Sequence, residues 1–172
     1  QAHRASEQQL QSRLRFERMP AETTKRFIDI PVDKLDAAID QALGETAAFV
    51  GAVTASIFLF NEDLTLADNS HEWSATPGDS IHRGLQNVPA GLFGYYWSII
   101  RKHEAVIVSS IEDLPPDANG ERRWIQDHGF QPSLLLPILA QDDFLGALCF
   151  FGKTGGRMEW REDLVDLLWV FA

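Results

Sequence analysis

The order of patterns in this chain predicts an α+β fold: one antiparallel sheet of five to six strands with helices on its faces. Three observations carry that expectation. Residues 53–60 with 64–73, and 134–139 with 144–151, form two pairs of short apolar runs, each closing around an acidic turn, Asn61-Glu62-Asp63 or Gln141-Asp142-Asp143. Paired runs of this kind, rich in β-branched and aromatic residues, read as hairpins. Helical periodicity precedes the first pair, separates the two and follows the second. Finally, no neighbouring strands are joined by a regular crossover helix, which disfavours a doubly wound parallel sheet.

The elements follow in order. Residues 5–19 lack Gly and Pro and favour helix, with a thin Leu10/Leu14 stripe that ends at Pro20. Val32, Leu35, Ile39, Ala42, Leu43 and Thr46 then recur at helical spacing opposite Asp33, Lys34, Asp36 and Asp40, the best amphipathic helix of the chain. In the first hairpin, simple alternation places Val53, Ala55, Ile57 and Leu59 on one face with Thr65, Ala67, Asn69, His71 and Trp73. A short helical piece near 81–86, a helix over 91–102 and a strand over 105–109 follow. Asn119 is placed to start a helix through Asp127, closed by Gly129. After the second hairpin, Trp160, Leu164, Leu167, Leu168 and Phe171 form the stripe of a last helix.

The 172 residues fit one domain and carry a net charge of −10. Residues 1–30 hold six Lys/Arg against four acids, a local excess of +2 that leaves −12 for the rest. So acidic a body repels phosphate backbones, and no nucleic-acid partner is expected. No run of 18 apolar residues suggests a membrane span within the segment. The single cysteine, Cys149, rules out an internal disulfide and a cysteine-rich zinc cluster, and favours a cytoplasmic setting. There is no initiator Met and the chain stops inside an apolar helical pattern, so a piece of a longer protein is expected.

Signals for catalysis are missing. Gly152-Lys153-Thr154 lacks the upstream glycine and following helix of a phosphate loop. The acidic pairs Glu62/Asp63 and Asp142/Asp143 sit in turns, where adjacent carboxylates do not flank a substrate. The five histidines show no i,i+4 pair for zinc, and there is no Gly-x-Ser-x-Gly elbow. The chain is therefore not expected to be an enzyme.

One set of motifs has a recognisable order. Phe27-Ile28-Asp29-Ile30-Pro31-Val32 leads into the amphipathic helix. His71-Glu72-Trp73, Leu85-Gln86-Asn87-Val88-Pro89, Asp113-Leu114-Pro115, Ser133 with Pro137, Gly146 and Trp160 follow. Together they resemble a GAF domain of bacterial sensor histidine kinases and cyclic-di-nucleotide signalling proteins, over residues 27–172, with 1–26 as a signalling or linker helix. The resemblance implies a sheet in the order 2-1-5-4-3 with helices on both faces. Terminal helices pack on one face and a ligand pocket lies under the helices of the other. It further implies a homodimer through the terminal helices, joined to a kinase or cyclic-di-nucleotide output domain.

Family subtypes can be read residue by residue. Bilin members need a cysteine for attachment, commonly beside a histidine, and Cys149 lies mid-strand, so no bilin is expected. Free methionine sulfoxide reductases of this fold use several cysteines, and the acidic/amide pattern of cyclic-nucleotide members is not recognisable. A haem would need a pocket histidine, for which only His71 and His128 offer themselves; it is not expected. The candidate ligand-binding residues are Trp73, His71, Trp97, Trp124 and Ser133, for an unknown small molecule. Each has a plainer alternative. His71 can cap a backbone group, the reading that weighs more near a sheet edge, and Trp73 can fill core. Trp97 and Trp124 either stack a ligand or occupy its place. The function implied is small-molecule sensing in signal transduction, relayed through the terminal helices. Its alternative is a structural dimerisation module whose pocket is filled by its own aromatics.

Overall fold

The computed structural model describes residues 18, 21, 22, 25, 27, 28, 30–76, 78, 80, 81, 84–155, 160–169 and 172. The expected helix over 5–19 lies outside them, Arg18 apart. After a single turn at Val32–Lys34, helix α1 runs over Leu35–Val50. It extends a turn beyond the predicted stripe because Ala47, Ala48, Phe49 and Val50 carry no breaker, and it ends at Gly51 in the left-handed region. Strands β1 (Thr54–Phe60) and β2 (Leu66–Ser74) make the first hairpin, and a two-residue strand β3 (Val88–Pro89) pairs with the start of β2. A turn at Ala90–Phe93 leads into α2 (Gly94–Ile100), then β4 (Val106–Val108) and α3 (Asn119–His128). Strands β5 (Ser133–Ala140) and β6 (Asp143–Phe151) form the second hairpin, and α4 (Glu162–Leu168) follows.

All six strands form one antiparallel sheet in the order β3-β2-β1-β6-β5-β4. The five longer strands keep the 2-1-5-4-3 sequence implied by the resemblance, and β3 adds a short edge to it. The class is α+β, with helices on both faces.

Each face has its own core. On one, Leu43, Ala47 and Val50 of α1 and Val165 and Leu168 of α4 meet Ala55, Leu134, Leu136, Leu148 and Phe150 of the sheet. On the other, α2 and α3 bring Tyr96, Trp97, Ile100 and Ile125 against Phe58, Ala67, Leu135, Ala147, Cys149 and Phe151. Because both faces are buried, β5 and β6 read as near-continuous apolar runs rather than as an alternating pattern.

The first hairpin departs from the simple pairing at one point. Ala55 and Ile57 stand opposite Trp73 and His71, but the register then shifts, so that Phe58 faces Asn69 and Phe60 faces Ala67. Ser70 is the extra residue of this bulge, and its hydroxyl donates to the Ile57 carbonyl at 3.1 Å. Beyond it the faces of β2 exchange. Ala67 and Asn69 therefore lie on the α2/α3 side with Thr54, Ser56, Phe58 and Phe60, not with Ala55 and Ile57 as unbroken alternation predicts.

Candidate functional site

The space between the sheet and helices α2 and α3 is nearly filled. Trp97 meets Phe60 edge-on at 4.7 Å between ring centres, and Phe93 at 6.5 Å. Trp124 meets Phe93 at 5.8 Å and stacks on His128 at 3.8 Å. A cavity of about 20 Å³ remains, ringed by Phe58, Phe93, Tyr96, Trp97 and Trp124, with Leu85, Leu135, Cys149 and Phe151 completing its lining. A guest larger than a water enters only if side chains of this lining move. Leu85 and Trp124 also line an outer cleft of about 490 Å³, whose rim carries Asp127, His128 and Lys153. These two side chains are the partition between the inner and outer spaces.

The cover is held as a unit. Glu121 on α3 is 1% exposed, and its Oε1 accepts hydrogen bonds from the backbone N–H groups of Tyr95 and Tyr96 at 2.9 and 3.2 Å. Those are first-turn donors of α2, which have no partner within their own helix. Residue 120 must be glycine for this approach, since a Cβ there would stand 1.6 Å from the Leu92 carbonyl oxygen. Arg122 completes the tie, donating to the carbonyls of Ile111, Leu114 and Pro115.

The wall beneath this cover is more polar than its lining suggests. Among the described residues seven buried side-chain polar atoms have no hydrogen-bond partner, and five of them face α2 and α3 or belong to α2. They are Thr54 Oγ1, Ser56 Oγ, Asn69 Oδ1, Tyr96 Oη and Trp97 Nε1. An unmade hydrogen bond of this kind costs about 1–3 kcal/mol, so native folds hold few of them. The Tyr96 hydroxyl turns towards Ser133 but closes no hydrogen bond with it, while Ser133 itself donates to the Phe130 carbonyl at 3.2 Å. Burial first, and the Glu121 carboxylate second, push the Tyr96 phenol above its ordinary range. Burial alone does the same to the Cys149 thiol, so both groups stay neutral donors near pH 7.

Of the five residues singled out in the sequence, Trp97 and Trp124 line the inner cavity, and Ser133 lines neither that cavity nor the outer cleft. Trp97, Trp124 and Ser133 belong to the α2/α3 side. His71 and Trp73 do not, and their placement in the same pocket is corrected. The pleat turns both towards α1, where Trp73 packs against Gly44 so closely that a Cβ there would stand 2.7 Å from its indole. His71 Nε2 lies 3.4 Å from the Asp36 carboxylate, and its Nδ1 meets Ser70 at 3.1 Å. Sequence reasoning missed Thr54, Ser56, Asn69 and Tyr96. The available signal is the Thr/Ser/Phe/Phe alternation at 54, 56, 58 and 60.

The fold and family comparisons agree. The GAF domain family model matches residues 34–172. The phycocyanobilin-bound GAF domain of a cyanobacterial phytochrome is similar in structure, with TM-score 0.70 at 16% identity over 91% of this chain and 88% of that one. The GAF domain of a phosphoenolpyruvate-protein phosphotransferase from Coxiella burnetii gives 0.69 at 15% identity over 92% and 88%. A domain of a putative two-component sensor histidine kinase from Sinorhizobium meliloti gives 0.56 at 12% identity over 82% and 85%. No curated protein sequence matches significantly.

The first of these corrects the expectation that a bilin is excluded, since a domain of this same fold holds phycocyanobilin. The expectation rests on the mid-strand place of Cys149 alone. Cys149 moreover lines the cavity beside Tyr96 and Trp97 rather than lying in unrelated core. No described helix is long and apolar enough to cross a membrane. By its family model over residues 34–172 and by its fold, the chain belongs to the GAF domain family of regulatory sensory domains.

Proposed function

We propose that this domain senses a small molecule beneath α2 and α3, with Trp97, Trp124 and Ser133 among the residues that meet it. The observation that carries this reading is the group of five unpaired buried polar atoms on that one side. A pocket filled only to stabilise the fold gains nothing from orphaned hydroxyl, amide and indole groups, whereas a ligand with matching donors and acceptors would satisfy them. Occupancy would shift α2 and α3, strain the sheet, and alter the packing of α1 and α4 on its other face. From there the change would pass across a homodimer to a linked output domain. A full switch needs roughly 5.5 kcal/mol of differential affinity between the two states, and a weaker preference gives graded control.

A second reading has its own support. The cavity of about 20 Å³ and its ring of aromatics favour a dimerising relay whose pocket is plugged by Trp97 and Trp124. Native mass spectrometry of the gently purified protein separates the two. Sensing predicts a dimer with a reproducible added mass that is lost on denaturation. A dimer at the bare polypeptide mass turns the balance to the relay, and a monomer at micromolar concentration removes the dimer-coupled mechanism.

A further inference from the structure

The outer cleft of about 490 Å³ carries charge that the fold leaves unused. Much of its lining is apolar, with Val53, Ile81 and Leu85 beside the rings of Trp124 and Phe130. Among the described residues it holds one anion, Asp127, and one cation, Lys153, together with the His128 imidazole. Asp127 lies in the last turn of α3, and Lys153 follows the end of β6. The two segments are bound to each other. The N–H and the hydroxyl of Thr154 both donate to the Gly129 carbonyl, at 2.8 and 2.9 Å, and the Gly152 N–H donates to the Pro132 carbonyl at 2.7 Å. The backbone on either side of Lys153 is thereby pinned to the chain that leaves α3. Yet among the described residues neither Asp127 nor Lys153 has an ion-pair or hydrogen-bond partner for its side chain. Two opposite charges thus line one cleft, and neither neutralises the other.

This lining selects the chemistry of an occupant. A simple anion would satisfy Lys153 but meet Asp127, a simple cation would do the reverse, and an apolar guest would leave both charges unused. An ammonium gains in addition from the end of α3, whose last carbonyls carry partial negative charge. The wall is built for a flat body. His128 Nδ1 donates to the Trp124 carbonyl at 3.1 Å, which orients the imidazole, and the two rings stack at 3.8 Å. The Phe130 ring follows at 6.0 Å from His128 and 6.3 Å from Trp124. Aromatic faces of this kind take a further ring edge-on or offset, and the volume is that of a small-molecule pocket. Resting on the sensing reading above, we propose that the outer cleft seats an aromatic zwitterion, a small molecule of the aromatic amino-acid class. Its carboxylate meets Lys153, its ammonium meets Asp127 and its ring lies against Trp124 and Phe130. Because Trp124 also lines the inner cavity, a ligand held here bears directly on the cover of the sheet.

L-Phenylalanine is the probe. Phenethylamine, which lacks the carboxylate, and 3-phenylpropionate, which lacks the ammonium, are its matched controls. Isothermal titration calorimetry should show saturable binding of L-phenylalanine to the wild-type protein, with each control weaker by at least about tenfold. Lys153→Gln should bring L-phenylalanine down to the affinity of phenethylamine, and Asp127→Asn should bring it down to that of 3-phenylpropionate. Both side chains are exposed, so each variant should keep Tm within about 2 °C of the wild type. Equal affinity for the three probes would overturn the proposal, as would L-phenylalanine binding that neither variant weakens. Absent L-phenylalanine binding would overturn it too. If the native mass spectrum then still carries another adduct, the ligand class is wrong and sensing stands. If it carries none, both readings fall together.

Discussion

The two faces of the sheet differ in how their cores are finished. Against α1 and α4 the buried core is largely aliphatic, built on Leu43, Ala47, Leu134, Leu136, Leu148 and Leu168 with Phe150, and one unpaired polar atom, Trp160 Nε1, lies at its border. Against α2 and α3 it is aromatic, and it buries a carboxylate, a thiol, a phenol and four other polar side chains. Apolar packing to high density is sufficient for stability and needs no polar atoms. The difference therefore separates a face that holds the fold from one that keeps chemistry in reserve, since unpaired polar groups persist where something other than stability selects them.

The largest test of that contrast is Phe150→Ala. The ring is 0% exposed and packs with the leucines of the structural face and with Trp160 at 6.3 Å. Its removal should cost about 3–5 kcal/mol in denaturant unfolding, among the heaviest single losses in the domain. In the remaining folded fraction, small-molecule binding should persist, because no atom of Phe150 faces α2 or α3. Loss of binding in proportion to loss of stability would mean the two faces are not separable.

The next effect is smaller and belongs to the cover. Glu121→Ala deprives the Tyr95 and Tyr96 N–H groups of their acceptor and should destabilise the domain by about 1–3 kcal/mol. Glu121→Gln keeps an amide oxygen in place and should recover most of that. Hydrogen exchange adds the sharper readout: the Tyr95 and Tyr96 amides should lose protection while those of α1 keep theirs. Uniform loss across both faces would show that α2 and α3 are not an independent cover.

Part of this arrangement was legible before the structure. The hairpins declared themselves through acidic turns between apolar runs, α1 through its 3.6-residue stripe, and α3 through its Gly129 stop. The resemblance to GAF domains then ordered the strands. What misled was β2. An unbroken alternation from Thr65 to Trp73 assigns His71 and Trp73 to the same side as Ala67 and Asn69. A single extra residue, Ser70, reverses that assignment, and no propensity marks a serine as a bulge. The same shift separates His71 and Trp73 from the side on which Thr54 and Ser56 lie. Glu121 was invisible for a different reason. A glutamate in a polar helix reads as solvated surface, and only the meeting of α3 with the first turn of α2 buries it.

The smallest effect concerns pH, and it again separates the faces. The α2/α3 side buries the Cys149 thiol and the Tyr96 phenol, both held above their ordinary values of 9.0 and 10.0. A group whose folded value is raised binds its proton more tightly in the native state. Its stabilising contribution is complete below the unfolded value and is lost as pH climbs from there towards the folded one. Stability should thus hold to about pH 9 and then decline, first through Cys149 and above about pH 10 through Tyr96 as well, each at up to about 1.4 kcal/mol per pH unit. Cys149→Ala should remove the earlier part of the decline and Tyr96→Phe the later part, read as urea midpoints between pH 8 and 11. Trp97 fluorescence should report the opening of this side before the far-ultraviolet signal of the sheet changes. A decline of the same steepness in the double variant would place the alkaline weakness elsewhere, and would remove one of the physical differences between the two faces.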